Sequence, residues 1–385
     1  MTAILQVLAQ QPLMVALRPL PLARARCSSA YARACCVSCQ PHLPHALTCW
    51  CTCRYSVVYT DRAQNLMSSP FCEAMRDINA SLKSVYHAAA VALIPGSGTF
   101  AMEACAWAFG GDKKALIIRN GYFSFRWSDI NACSRIFSEE IVLKAGPASE
   151  ADAGTKTRQF APHPIDDVVA RIKAERPAVV FAPHVETSTG MILPDAYIKA
   201  VADAAHEVGA VFVLDGIAAG NVWCNMETSG VDAYISAPQK GWSGPACCGL
   251  VMLSPRGREV ALASAGQRTS FCCNLVKWLT VMDKYADGGF MYYTTLPTDA
   301  LMTFRDVIKE LEAFGLEKSQ AAMADIGTRV RKALAERGFV SAAADGYGSP
   351  GVVVVFSKVG GMGGLFKGEG IQIAGGVRGR LLLLC

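Results

Sequence analysis

The chain reads as an α/β protein: a large domain with a mostly parallel sheet covered by helices on both faces, followed by a smaller C-terminal α+β domain. Short apolar runs without polar alternation recur between residues 90 and 253, as in strands buried on both faces. Helix-length segments separate them, and parallel strands need such crossovers. Beyond Pro297 the pattern changes to long amphipathic helices, which marks the second domain. Of the 385 residues 52% are hydrophobic and 18% charged, enough for a sizeable core.

Taken in order, Ser68-Ser69-Pro70 is a helix start, because proline in the first turn lacks only an N–H that would have no helical partner. The spacing of Phe71, Met75, Ile78, Leu82 and Tyr86 carries that helix on. Strands are expected at 91–94, 115–118, 178–182, 210–214, 233–237 and 249–253. Helices are expected at 99–109, 122–133, 164–174 and 195–208, then at 298–314 and 317–337, with a lone strand-like run at 352–356. The expected division is a Cys/Arg-rich segment over 1–54, a large domain over 55–310 and a small domain over 311–385, incomplete at its end. No internal repeat is visible. No stretch is apolar for long enough to cross a bilayer, since Gln, Arg and Pro interrupt the N-terminal run.

The formal net charge of +5 is local. Residues 1–60 hold five of the 37 basic residues and no acid, so the remaining 32 match the 32 acids. A neutral body gives no support to a nucleic-acid-binding surface. The same segment holds Cys27, Cys35, Cys36, Cys39, Cys49, Cys51 and Cys53, seven of the 16 cysteines. Three readings of it stand: an organelle transit peptide, rich in Arg and free of acids; a zinc site drawing on Cys36, Cys39, His42, His45, Cys49, Cys51 and Cys53, without the usual paired spacing; or a poorly predicted or translated start without structure. The cysteines of the body sit in apolar runs and read as buried thiols of a reducing, intracellular compartment, cytoplasmic or organellar.

Three motifs carry chemistry. Pro95-Gly96-Ser97-Gly98-Thr99 follows an apolar strand and opens a helix, where free N–H groups face an anion, ideally a phosphate. Gly96-x-Gly98-x-x-Ala101 also fits a dinucleotide fingerprint, but the next strand ends in Arg119-Asn120 rather than in an acid. A plain turn before a helix is the third reading. Asp215 stands at the C-terminal end of a buried strand, where α/β sheets place ligands. A carboxylate there needs a cation or several donors. A protonated pyridine nitrogen would serve, and so would a structural ion pair. Lys240 lies between two apolar strands in a loop of Gly, Ser and Pro. It is either a surface residue or an amine for a Schiff base.

Together, Gly96-Ser97-Gly98-Thr99-x-x-x-Glu103, Asn120-Gly121-Tyr122-Phe123, His184-Val-Glu186-Thr187-Ser188-Thr189-Gly190, Asp215-Gly-Ile-Ala-Ala-Gly220 and Ser236-x-x-Gln239-Lys240-Gly241 resemble the class V aminotransferases. Within these the chain is most similar to the alanine–glyoxylate and serine–pyruvate group. Order and spacing hold from about Tyr55 to about Gly375. The resemblance implies pyridoxal 5'-phosphate as cofactor, with Lys240 as the Schiff-base lysine and Asp215 as partner of the ring nitrogen. It implies a phosphate cradle of Ser97, Gly98 and Thr99, to which Gln239 adds a donor. Phe123 falls where the family stacks an aromatic on the ring, and Thr187 where a hydroxyl nears the ring oxygen. Tyr292 and Thr295 match a Tyr-x-x-Thr that reaches the neighbouring subunit's phosphate, which implies a homodimer. His184 reads as a core histidine.

The reaction implied is transfer of an amino group from a small amino acid, such as alanine or serine, to glyoxylate or pyruvate, by ping-pong kinetics. The family's late arginine, a fork for the substrate carboxylate, has no match, since Arg378 and Arg380 do not fit its context. Two other readings keep the fold: another donor or chemistry, as in an aminophosphonate aminotransferase or a desulfurase, and a degenerate, non-catalytic member. A desulfurase needs a mobile reactive Cys, which apolar surroundings disfavour.

Overall fold

The computed structural model describes residues 64–149, 157–357, 362–370, 373–375 and 381–384. The N-terminal cysteine cluster, Arg378 and Arg380 lie outside the described residues. Helix α1 (Ser69–Tyr86) starts after Ser68 with proline in its first turn, and ends where His87 turns left-handed and its N–H meets the Lys83 carbonyl. Phe71, Met75, Ile78, Leu82 and Tyr86 form its buried face.

A seven-stranded sheet forms the centre. Its strands are β1 (Ala90–Pro95), β2 (Lys114–Arg119), β3 (Glu139–Lys144), β4 (Val179–Pro183), β5 (Val211–Asp215), β6 (Ala233–Ser236) and β7 (Cys248–Leu253). In space they run β1-β7-β6-β5-β4-β2-β3. Strand β7 is antiparallel to both neighbours, and the pairs from β6 to β3 are parallel. Between them lie α2 (Gly98–Gly110), α3 (Arg126–Ser134), α4 (Ile165–Glu175) and α5 (Asp195–Glu207), and after β7 come α6 (Pro255–Ala263) and α7 (Leu275–Ala286). Every residue of β4, β5, β6 and β7 is buried. Full burial of each Val, Leu, Ile or Phe there contributes about 1.5–3 kcal/mol. This explains why those strands read as unbroken apolar runs.

The departures from expectation have local causes. Strand β3 pairs only with β2 at the sheet edge and buries two of its six residues, so its Glu-Glu start hides it from an apolar-run search. Helix α3 begins at Arg126 rather than at 122, because residues 120–124 form a turn held by side chains described below. Helices α6 and α7 were not anticipated. They start at Ser254 and Asn274, whose side chains accept the N–H of Gly257 and Lys277. Not all cysteines of the body are buried thiols: Cys133 and Cys272 are exposed.

Helices α8 (Thr298–Phe314) and α9 (Leu316–Ala335) meet the expected spans closely. The run at 352–356 is not a lone strand. It forms β8 (Val353–Phe356), antiparallel to β10 (Leu381–Leu384), which also pairs with β9 (Ala374–Gly375). The stretch before β8 leans on the sheet's C-terminal end: Ser349 N–H donates to the Gly190 carbonyl, and Ile192 N–H to that of Tyr347. Val352 and Val354 share a small apolar cluster with Val185 and Ala219. No helix among the described residues is long and apolar enough to cross a membrane.

Candidate active site

The parallel strands β2, β4, β5 and β6 end on one side of the sheet, and β1, reversed by way of β7, ends there too. The loops leaving them carry most of the candidate residues. Ser97 caps α2 with an extended backbone and spends no side-chain oxygen on the cap, so the first helical N–H groups are free for an anion. Gly96 makes the turn possible at φ +123°, a conformation closed to side chains. Its N–H donates to the Cys247 carbonyl, which ties the loop to β7. The half-buried Arg126 sends Nη1 to Thr99 Oγ1 at 2.9 Å, and its guanidinium lies 5.3 Å from the Phe123 ring centre.

Asp215 is 7% exposed. Its Oδ1 accepts one hydrogen bond, from Ile217 N at 3.1 Å, and no described cation pairs with it. Burial is the main cause that pushes its pKa up to about 7. The Ile217 N–H opposes the rise, the charge of Glu186 adds to it, and Arg126 and Lys240 pull against it more weakly. The carboxylate is thus left with acceptor capacity that no described cation fills. Lys240, exposed like Gln239, sits in the turn that leaves β6. That turn is closed by bonds from Ser243 N–H to the Lys240 carbonyl and from Gly244 N–H to that of Pro238.

Two further loops complete the cluster. After β4, Glu186 is fully buried and accepts from Phe123 N (3.0 Å), Ser124 N (2.8 Å), Ser124 Oγ (2.7 Å), Ser188 N (3.1 Å) and Ser188 Oγ (2.7 Å). Thr187 lies half-buried between two of the groups so held. His184 is 2% exposed, and burial alone lowers its pKa to about 4, so it is a neutral core residue at pH 7. Tyr292 and Thr295 stand exposed on the segment between α7 and α8.

The loop ends of five strands thus bring Ser97, Gly98, Thr99, Phe123, Thr187, Asp215, Gln239 and Lys240 to one side of the sheet, whereas Tyr292 and Thr295 belong to a separate exposed segment. Glu186 and Arg126 had no role in the sequence reading. Glu186 lies within the His184–Gly190 motif, and a glutamate among Thr and Ser is the signal available for it. Arg126 lies just outside such a motif.

A model of the family described as Aminotransferase class-V matches residues 155–358. The L-aspartate–glyoxylate aminotransferase of Paracoccus denitrificans is 28% identical over 263 residues, 68% of this chain and 61% of that protein. The serine–glyoxylate aminotransferase of Hyphomicrobium methylovorum is 28% identical over 246 residues, 63% and 56% of the two. The chain therefore spans less than two thirds of the length of either relative. Among solved structures, an alanine–glyoxylate aminotransferase from Nostoc sp. superimposes with a TM-score of 0.70 at 20% identity, covering 83% of this chain and 82% of that one.

Proposed function

Because the chain belongs to the class V aminotransferase family, we propose that it binds pyridoxal 5'-phosphate and transfers an amino group from a small amino acid, alanine or serine in type, to glyoxylate or pyruvate. The observation that carries this reading is Asp215, a buried carboxylate with one backbone donor and no described cation, near the open end of α2 and within electrostatic reach of Lys240.

Bound there, the cofactor would act as the electron sink for charge developing at the substrate Cα. The N–H groups at Gly98 and Thr99 would hold its phosphate, with Ser97 and Gln239 as side-chain donors. Asp215 would keep a proton on the ring nitrogen. The ring would lie on Phe123, with Thr187 near its oxygen. Lys240 would bind the carbonyl covalently and, once displaced, carry a proton away from the substrate Cα. Tyr292 and Thr295, exposed here, would complete the site across a homodimer.

The test is reconstitution with pyridoxal phosphate. Borohydride reduction should fix the label on Lys240, and a panel of alanine, serine, aspartate and 2-aminoethylphosphonate, each with glyoxylate or pyruvate, should show which donor shifts the bound absorbance. Lys240→Ala should lower turnover by about 10²–10⁴-fold. Protein that takes up no cofactor would overturn the reading. Protein that takes it up but responds to no donor would be a non-catalytic member.

A further inference from the structure

Glu186 sits between the two loops that this site would use on its ring. We propose that it is a positioning residue, a carboxylate clamp that sets Phe123 and Thr187 together; the proposal rests on the pyridoxal-phosphate reading above.

A fully buried carboxylate is stable only when its oxygens are satisfied. Here no described cation does so, and five neutral donors do. A carboxylate has about four lone-pair sites, so the set is saturated. The donors come from two segments, and Ser124 on the first lies 62 positions from Glu186 in sequence. On one side the N–H groups of Phe123 and Ser124 fix the backbone that carries the aromatic ring. On the other, Glu186 itself and Ser188 flank Thr187 and pin it from both ends. Ser188 Oγ also accepts from Tyr122 N at 2.9 Å, and Ser124 Oγ accepts from the N–H groups of Asn120 and Gly121 at 3.0 and 3.1 Å. The approach is so close that a Cβ on Gly121 would lie 2.2 Å from Ser188 Oγ and 2.7 Å from Glu186 Cγ.

The requirement is for a carboxylate and not merely a polar side chain. Glutamine of the same shape would turn an NH2 toward N–H and O–H groups that already donate. One loop would then move away from the other. A clamp that only stabilised the fold would change melting and nothing else. A clamp that sets the ring platform acts through Phe123, and a double-mutant cycle detects that.

The experiment titrates pyridoxal phosphate into the wild type, Glu186→Gln, Phe123→Ala and the double variant, with melting and the induced circular dichroism of the bound cofactor measured in parallel. Glu186→Gln should weaken binding about tenfold and diminish the induced signal. Added to Phe123→Ala, it should weaken binding less than about threefold further, because the platform it positions is gone. If Glu186→Gln does not fold, Ser188→Ala replaces it. That change leaves four donors on the carboxylate and should weaken binding about threefold, again without adding fully to Phe123→Ala. Wild type that binds cofactor beside a folded variant that binds it identically, or effects that multiply in full, would overturn the clamp alone. Wild type that binds none overturns the cofactor reading and the clamp with it.

Discussion

Two buried aspartates lie at opposite ends of the neighbouring strands β5 and β6, and the fold treats them differently. Asp232, just before β6, is 1% exposed and accepts from Arg256 Nη1 (2.6 Å), Phe212 N (2.8 Å) and Ser254 Oγ (3.3 Å), with His206 Nε2 at 3.0 Å. Asp215, at the end of β5, has one backbone N–H. The first carboxylate is compensated from within the chain. The second is left with unused acceptor capacity where ligands of α/β proteins bind. Completeness of partnering, rather than burial, is what separates the two acids.

Removing the charge tests this most severely at Asp215 in cofactor-free protein. Its folded pKa of about 7 lies above the ordinary 3.8. Between those values the folded chain holds a proton that the unfolded chain has released, so the stability contribution is full below about pH 4 and is lost as the pH rises to 7. Asp215→Asn should therefore be more stable than wild type at pH 8, by on the order of 4 kcal/mol, with the gap closing near pH 4. Urea melts at both values check this, and a gap independent of pH would break the contrast.

Asp232→Ala should act in the opposite direction. It strands Arg256 and the Phe212 N–H and should cost about 3 kcal/mol of stability at pH 7. Cofactor bound per folded molecule, read by absorbance, should not change. The smallest effect is expected from Arg256→Gln. This side chain is 34% exposed and Asp232 keeps its other donors, so a loss of about 1 kcal/mol in the same melts is expected.

Much of the candidate site, though not this contrast, was legible in the order of residues. The apolar run ending in Asp215, the Gly96-Ser97-Gly98 turn before a helix and the Lys240 loop each lie within a dozen positions, and strand or helix periodicity places such features at an element's end. Strand β3 was hidden because an edge strand need not be apolar on both faces. The late start of α3 was hidden because the groups holding residues 120–124 include Glu186, more than 60 positions away. Arg126 reads as an ordinary surface charge until α2 brings Thr99 within 2.9 Å of it.

By itself, then, the amino-acid sequence determined the kind of fold and which of its strand ends carry the glycine turn, the acid and the amine, since local periodicity and turn chemistry act over a few residues. Only the tertiary structure decided which buried acid is satisfied. The donors that complete Asp232 and Glu186 come mostly from segments that meet only when the sheet assembles, and hydrogen bonds depend on that distance in space.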